Sequence, residues 1–147
     1  MALMALPVVL VLMVVGAGSK TNPKVERTIE WNSPETKALF DRACLDCHSH
    51  ETKWPWYANV APVSWMVIHN VDEARDEFNI SGKDLGEADE AAEKLAKGIM
   101  PPKGYLVLHS EAKLNEAERK QLIEGLKATF GEEHDDDEPS EDKKEAH

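Results

Sequence analysis

Cys44-Leu45-Asp46-Cys47-His48 is the stretch from which the rest of the chain takes its meaning. Two cysteines three residues apart, followed at once by a histidine, form the attachment signal for a c-type haem. Positions i and i+3 share one face of a helical turn, with Cβ atoms ~5–6 Å apart. Both sulfurs can then reach the two vinyl groups on one edge of a porphyrin and form thioethers. His48 falls beneath the ring, where its imidazole can reach the iron from the proximal side. The pentapeptide contains both cysteines of the chain. A zinc half-site has the same C-x-x-C spacing but usually needs a second Cys/His pair, and His50, His69 and His109 form none. A thioredoxin-like redox motif would require a βαβ context, which the sequence lacks.

The chain has 147 residues, a length that suits one domain. Its net charge of −11 and the absence of a basic patch argue against a nucleic-acid partner. Two cysteines at haem spacing argue against a disulfide framework. A c-type haem is attached outside the cytoplasm, so export is expected. Ala2 to Gly18 carries no charge and consists mostly of Leu, Val, Met and Ala. That run is slightly shorter than the ~20 residues usual for a membrane span, and it also fits a signal-peptide apolar region. Gly16-Ala17-Gly18-Ser19 supplies small residues for cleavage. No Lys or Arg precedes the run, whereas Lys20, Lys24 and Arg27 follow it. The positive-inside rule alone would keep the following domain in the cytoplasm. The haem motif outweighs that rule, so residues 1–19 are expected to be a signal peptide or a signal-anchor. The domain is then placed on the periplasmic side, anchored to the cytoplasmic membrane.

Residues 20–33 are polar, contain Pro23, and are expected to form a linker that allows local swinging. Residues 34–131 are assigned to the haem domain. A helix is predicted from Ser33 and Pro34 into the motif, carrying Leu39, Phe40 and Ala43. Pro55 keeps Trp54 to Tyr57 out of regular helix. Pro62 opens a second helix to about Phe78, on which Val63, Met66, Val67, Val71 and Ala74 share a face. A turn region over Asn79 to Gly86 leads to a short acidic helix from Glu87 to Lys97, closed by Gly98. A proline-containing loop is expected from Met100 to about Ser110. The last helix begins at Asn115, with Glu118 placed for a capping box and Leu122, Ile123, Leu126 and Phe130 as its apolar stripe. No β pattern and no internal repeat appear, so the fold is expected to be all-α. Residues 132–147 hold nine acidic residues and two lysines, a charge of −7. They are expected to be a disordered tail, either solubilising or a handle for a basic partner.

The order helix, C-x-x-C-H, Met-Pro-Pro, C-terminal helix resembles a class I cytochrome c. The chain is closer still to a family of small exported monohaem proteins, the "haem-binding domain" family. The motifs that carry this resemblance begin with Cys44 to Ser49, then Thr52-Lys53-Trp54-Pro55-Trp56-Tyr57 and Ala61-Pro62-Val63-Ser64-Trp65. Met100-Pro101-Pro102, Tyr105 and His109 complete the set. The resemblance spans about residues 33–130 and implies a cytochrome c-like helical domain around one haem c. Ala74, where the family suggests glycine before Arg75, and the lack of a Trp after Ser81 are local departures.

Within that frame His48 is one axial ligand. Met100 is the first candidate for the other, because Pro101 biases it away from helical geometry and Pro102 stiffens its loop. A thioether raises the reduction potential relative to a second histidine. A core methionine is the alternative role for Met100. His109 is the alternative sixth ligand, or else a hydrogen-bonding partner of a propionate or of backbone. His69 is expected to face solvent, and His50 lies too near the proximal motif to cross the ring. His134 and His147 fall in the tail. Trp54, Trp56, Tyr57 and Trp65 are expected to wall the haem pocket and exclude water. Tyr105 joins this cofactor-binding set. Arg75 is a candidate cation for a propionate, or a surface partner of Asp72 or Glu73.

An electron-transfer cytochrome, not an enzyme, is the expected function, working with a redox protein or a membrane electron-transfer complex. A haem-based ligand sensor or minor peroxidase, and a haem-bearing structural subunit, are the alternatives.

Overall fold

A computed structural model describes residues 20–131; the expected export segment and acidic tail, with His134 and His147, lie outside them. Among the described residues five α-helices follow one another: α1 (Pro34–Ala43), α2 (Val63–Glu77), α3 (Ala91–Ala96), α4 (Lys103–Leu108) and α5 (Glu116–Phe130). Short 3₁₀ turns cover Trp56–Asn59 and Ser110–Ala112. Among the described residues there is no strand, only an isolated bridge between Phe78 and Gly86, so the domain is all-α.

Local chemistry sets each helix. The Ser33 hydroxyl accepts from the Thr36 amide at 3.1 Å, and Pro34 occupies the first helical position of α1. Asn115 and Glu118 form a reciprocal capping box at the start of α5. Replacing Asn115 with alanine should cost about 1 kcal/mol of stability, measured by chemical denaturation, because the Glu118 amide loses its partner. Gly98, at φ +70°, ends the α3 segment in a conformation that favours glycine. Arg119 of α5 donates to the Leu95 and Ala96 carbonyls, placing a cation at the negative end of α3.

α1 buries Thr36, Leu39, Phe40 and Ala43, and α5 buries Leu122, Gly125 and Leu126. These stripes at helical spacing face each other, and α3 packs on α5 from another side. Trp31, Phe40, Phe78 and Phe130 form a connected aromatic cluster with ring centroids 4.9–6.0 Å apart. That distance range suits edge-on and tilted aromatic packing.

Three expectations change. The acidic helix begins at Ala91 rather than Glu87. The Glu87 amide bonds the Glu77 carbonyl and the Ala88 amide bonds Gly86, which commits this backbone to the turn beside Phe78. The expected loop after Met100 contains α4, with Pro101 and Pro102 immediately before its first residue, where a missing amide costs nothing. Residues 20–33 have no regular structure, yet they lie against the domain instead of swinging free. The Glu26 amide bonds the Ser81 carbonyl, Arg27 bonds the Lys83 carbonyl, and Ile29 and Trp31 pack on the core. Arg75 completes the attachment by donating to Ser49, Thr21, Asn22 and Thr52.

Candidate cofactor site

The helix α1 ends at Ala43, and the motif continues as a turn. The Cys47 and His48 amides both donate to the Cys44 carbonyl, at 3.1 and 3.0 Å. This tight turn directs Cys44, Cys47 and His48 into one cavity of about 490 Å³. That volume falls within the roughly 300–1,000 Å³ of small-molecule and cofactor pockets. Val63, Met66, Val67, Val71 and Ala74 of α2 form one wall, the same residues that share a face in the sequence. Met100, Pro101 and Pro102, with Tyr105, Leu108 and His109 of the following segment, contribute another.

Both cysteines are free thiols. Burial, reinforced by the neighbouring Cys47, pushes the Cys44 thiol up to about 12. Burial and the Asp46 carboxylate push Cys47 up to about 11. Both sulfurs are therefore uncharged in the apolar site at neutral pH.

His48 is the most constrained side chain of the group. Its Nδ1 lies 2.8 Å from the Phe78 carbonyl and 3.1 Å from that of Ala74. Carbonyls only accept, so Nδ1 carries the proton and Nε2 keeps its lone pair. Burial lowers the pKa of the ring, partly offset by those two carbonyls, and favours the neutral imidazole. A neutral histidine whose second nitrogen is fixed by backbone is the arrangement a metal ligand requires.

His109 is engaged differently. The Tyr57 hydroxyl donates to His109 Nε2 at 2.6 Å, and Nδ1–H donates to Glu111 Oε1 at 3.2 Å. Glu111 can only accept, so Nδ1 carries the hydrogen, and in the neutral ring Nε2 is left to accept from Tyr57. Tyr105 stacks on the His109 ring at 4.0 Å and 9°, while its hydroxyl donates to Asp46 Oδ2 at 3.1 Å. Burial beside the Asp46 carboxylate raises the Tyr105 pKa and keeps that hydroxyl a donor. Thus Tyr57, Tyr105 and His109 join the α4 segment to the cysteine turn across the cavity. Both nitrogens of His109 are occupied, whereas Met100 carries no such competing bond to a protein group. Tyr105 and His109 meet because they sit one turn apart at the C-terminal end of α4, so missing that helix concealed their pairing.

Three of the aromatic residues expected at the pocket lie outside its lining. Trp54, Trp56 and Trp65 do not line the cavity. The Trp54 indole turns away to donate to Asn22 Oδ1. Trp56 precedes the inward Tyr57 on a 3₁₀ turn, where successive residues are ~120° apart and cannot both face in. Trp65 lies on the side of α2 opposite Val63, Val67 and Ala74. His50 bonds the Lys24 carbonyl and Asn79, and His69 is exposed beside Glu73. Arg75 has no acidic partner at ion-pair distance: its donors go to Thr21 and Asn22 of the N-terminal segment, to the Ser49 carbonyl and to the hydroxyl of Thr52, which lines the cavity.

The residues fit a haem. The cavity is large and apolar, two reduced thiols and a neutral histidine enter it from one turn, and a thioether enters from the Met100 segment. A family model described as "Haem-binding domain" matches residues 8–128. No curated protein and no solved structure matches the chain.

Proposed function

This chain belongs to the haem-binding domain family, and from that premise we propose that it is an exported, membrane-tethered c-type cytochrome. It holds one haem covalently through Cys44 and Cys47 and passes single electrons to or within a membrane redox complex. The observation that carries this reading is the convergence of Cys44, Cys47, His48 and Met100 on one cavity, with His109 bonded elsewhere. When bound, the haem supplies a one-electron iron couple. His48 would hold the iron through Nε2, its ring aimed by the Ala74 and Phe78 carbonyls. Met100 presents its sulfur from the other segment, held next to Pro101 and Pro102. The α2 wall excludes water and favours the less charged redox state. His48 and Met100 would be the two protein groups that hold the iron, a ligand set that suits a carrier of electrons better than a site that binds a substrate.

Met100→Ala tests the assignment. The oxidised wild type is expected to be low-spin, with a sulfur-to-iron charge-transfer band at the red edge of its spectrum, and to ignore added carbon monoxide when reduced. The variant should lose the band and gain a carbon monoxide-dependent shift. A wild-type spectrum that is already high-spin and shifts with carbon monoxide would replace the carrier with a ligand sensor.

A further inference from the structure

Helix α4 buries none of its residues, although α3, of the same length, buries Ala92 and Leu95. Among the described elements it contacts only the 3₁₀ turn Ser110–Ala112 that follows it. Both ends of the segment are anchored. The Met100 amide bonds the Lys94 carbonyl on one side, and Ala112 is fully buried on the other. Between these anchors Gly104, Tyr105, Leu108 and His109 line the cavity, and Leu108 is 62 % exposed even so. Six residues are far too few for a helix to persist in water by itself. Two hydrogen bonds hold α4 in place. The Tyr105 hydroxyl donates to Asp46 Oδ2 at 3.1 Å, and His109 Nε2 accepts from the Tyr57 hydroxyl at 2.6 Å. Asp46 stands between Cys44 and Cys47, and Tyr57 belongs to the block that follows the motif. Both bonds therefore tie α4 to the side of the cavity that carries the cysteines. The stacking of Tyr105 on His109 joins the two bonds into one unit.

We propose that α4 is a lid over the cofactor cavity, and that Asp46 and Tyr57 are the positioning residues that latch it closed. The inference rests on the haem reading above. A segment without buried side chains, tied at two points, opens at a low free energy compared with the packed helices. Lids are drawn from such segments. With the latches made, α4 covers the cavity beside Met100 and keeps small molecules from the iron. With the latches open, the cavity meets solvent along its α4 side and the sixth position becomes reachable. The lid thus decides whether the bound haem serves only electrons or also admits a ligand. It also gives Asp46 a task inside the C-x-x-C-H turn, at a position that thioether formation does not use.

The test compares the haem-loaded full chain with its Tyr57→Phe, Tyr105→Phe double variant, which keeps both rings and loses only the two hydroxyls. Imidazole is the probe, and its binding to the oxidised protein is followed in the haem spectrum. Loss of two hydrogen bonds should raise the open population, and with it the second-order rate of imidazole uptake, at least about fivefold. Amide hydrogen exchange over 103–109 should accelerate by a similar factor, while exchange over α5 stays at its wild-type rate. An unchanged imidazole rate, or unchanged exchange over 103–109, overturns the lid. Exchange that rises equally over α5 marks general loosening of the fold and overturns it too. A wild type without the sulfur-to-iron band removes the Met100 assignment, and the exchange comparison alone then decides the lid.

Discussion

Replacing Cys44 and Cys47 together with alanine should abolish haem that survives a denaturing gel, while leaving a smaller population of dissociable haem in the native protein. The two thiols are the chain's only sulfhydryls, so no other residue can form a thioether. The proximal imidazole does not depend on them. His48 is aimed by the carbonyls of Ala74 and Phe78, from α2 and its C-terminal cap, and not by the cysteines. The apolar α2 wall also remains. Under the proposed function, covalent attachment and iron ligation are thus expected to be separable, and two measurements separate them. Haem-dependent peroxidase staining after denaturing electrophoresis should disappear in the double variant. The absorption spectrum of the native variant supplied with haem should still show an imidazole-bound iron. Adding His48→Ala to the double variant should remove that residual signal as well. Staining that persists without either cysteine would show that the haem is not held by thioethers.

How much of this arrangement the sequence discloses depends on the range of the interaction that creates it. The C-x-x-C-H turn, the Ser33 and Asn115 caps and the apolar stripe of α2 are all written within one or two helical turns. Each is legible because its partners are close in sequence. The direction of an aromatic side chain is different. Trp54, Pro55, Trp56 and Tyr57 look equivalent as a block, yet Asn22, thirty-two residues away, draws the Trp54 indole outward. His109, fifty-two residues away, draws Tyr57 inward. The same holds for Arg75. Its charge suggested a carboxylate partner, but the carbonyls of Thr21 and Ser49 and the side-chain oxygens of Asn22 and Thr52, twenty-three or more residues away, take its donors, and no local pattern announces them. Helix α4 was obscured by two prolines that read as loop punctuation, although proline directly before a helix is compatible with its start. With it were hidden the stacking of Tyr105 on His109 and the reason His109 gives way to Met100 as ligand candidate.

Gly125→Ala should be strongly destabilising although it touches neither the cysteines nor His48. A Cβ at this position would lie 2.1 Å from Thr36 Oγ1, 2.5 Å from Cγ2 and 2.8 Å from Cβ. The first two could move only if the Thr36 side chain rotated. Thr36 is almost fully buried, and its hydroxyl lies 3.1 Å from that of Ser33, at the cap of α1. The third atom is fixed to the α1 backbone, so rotation cannot relieve it and the helices must separate. Overpacking by a methyl group usually costs ~1–3 kcal/mol, and a contact against immovable atoms belongs at the upper end or beyond. Separation of α1 from α5 also loosens Leu39, Phe40, Leu122 and Leu126, and α1 leads directly into the cysteine turn. The variant should therefore lose several kcal/mol in denaturant unfolding and accumulate less haem-loaded protein. Thr36→Gly removes all three clashing atoms at once. Combined with Gly125→Ala, it should recover much of the lost stability, giving a strongly favourable coupling in a double-mutant cycle. If the two substitutions were merely additive, the α1–α5 contact would not be the origin of the effect. Placing the methyl group at Gly104 provides the contrast, because a Cβ there meets nothing within 4 Å. Gly104 lines the cavity, so the comparison is made on the haem-free protein, where Gly104→Ala should leave stability unchanged or raise it by up to ~1 kcal/mol through helix propensity in α4, showing that it is the crossing at Thr36, and not glycine in a helix, that demands the missing side chain.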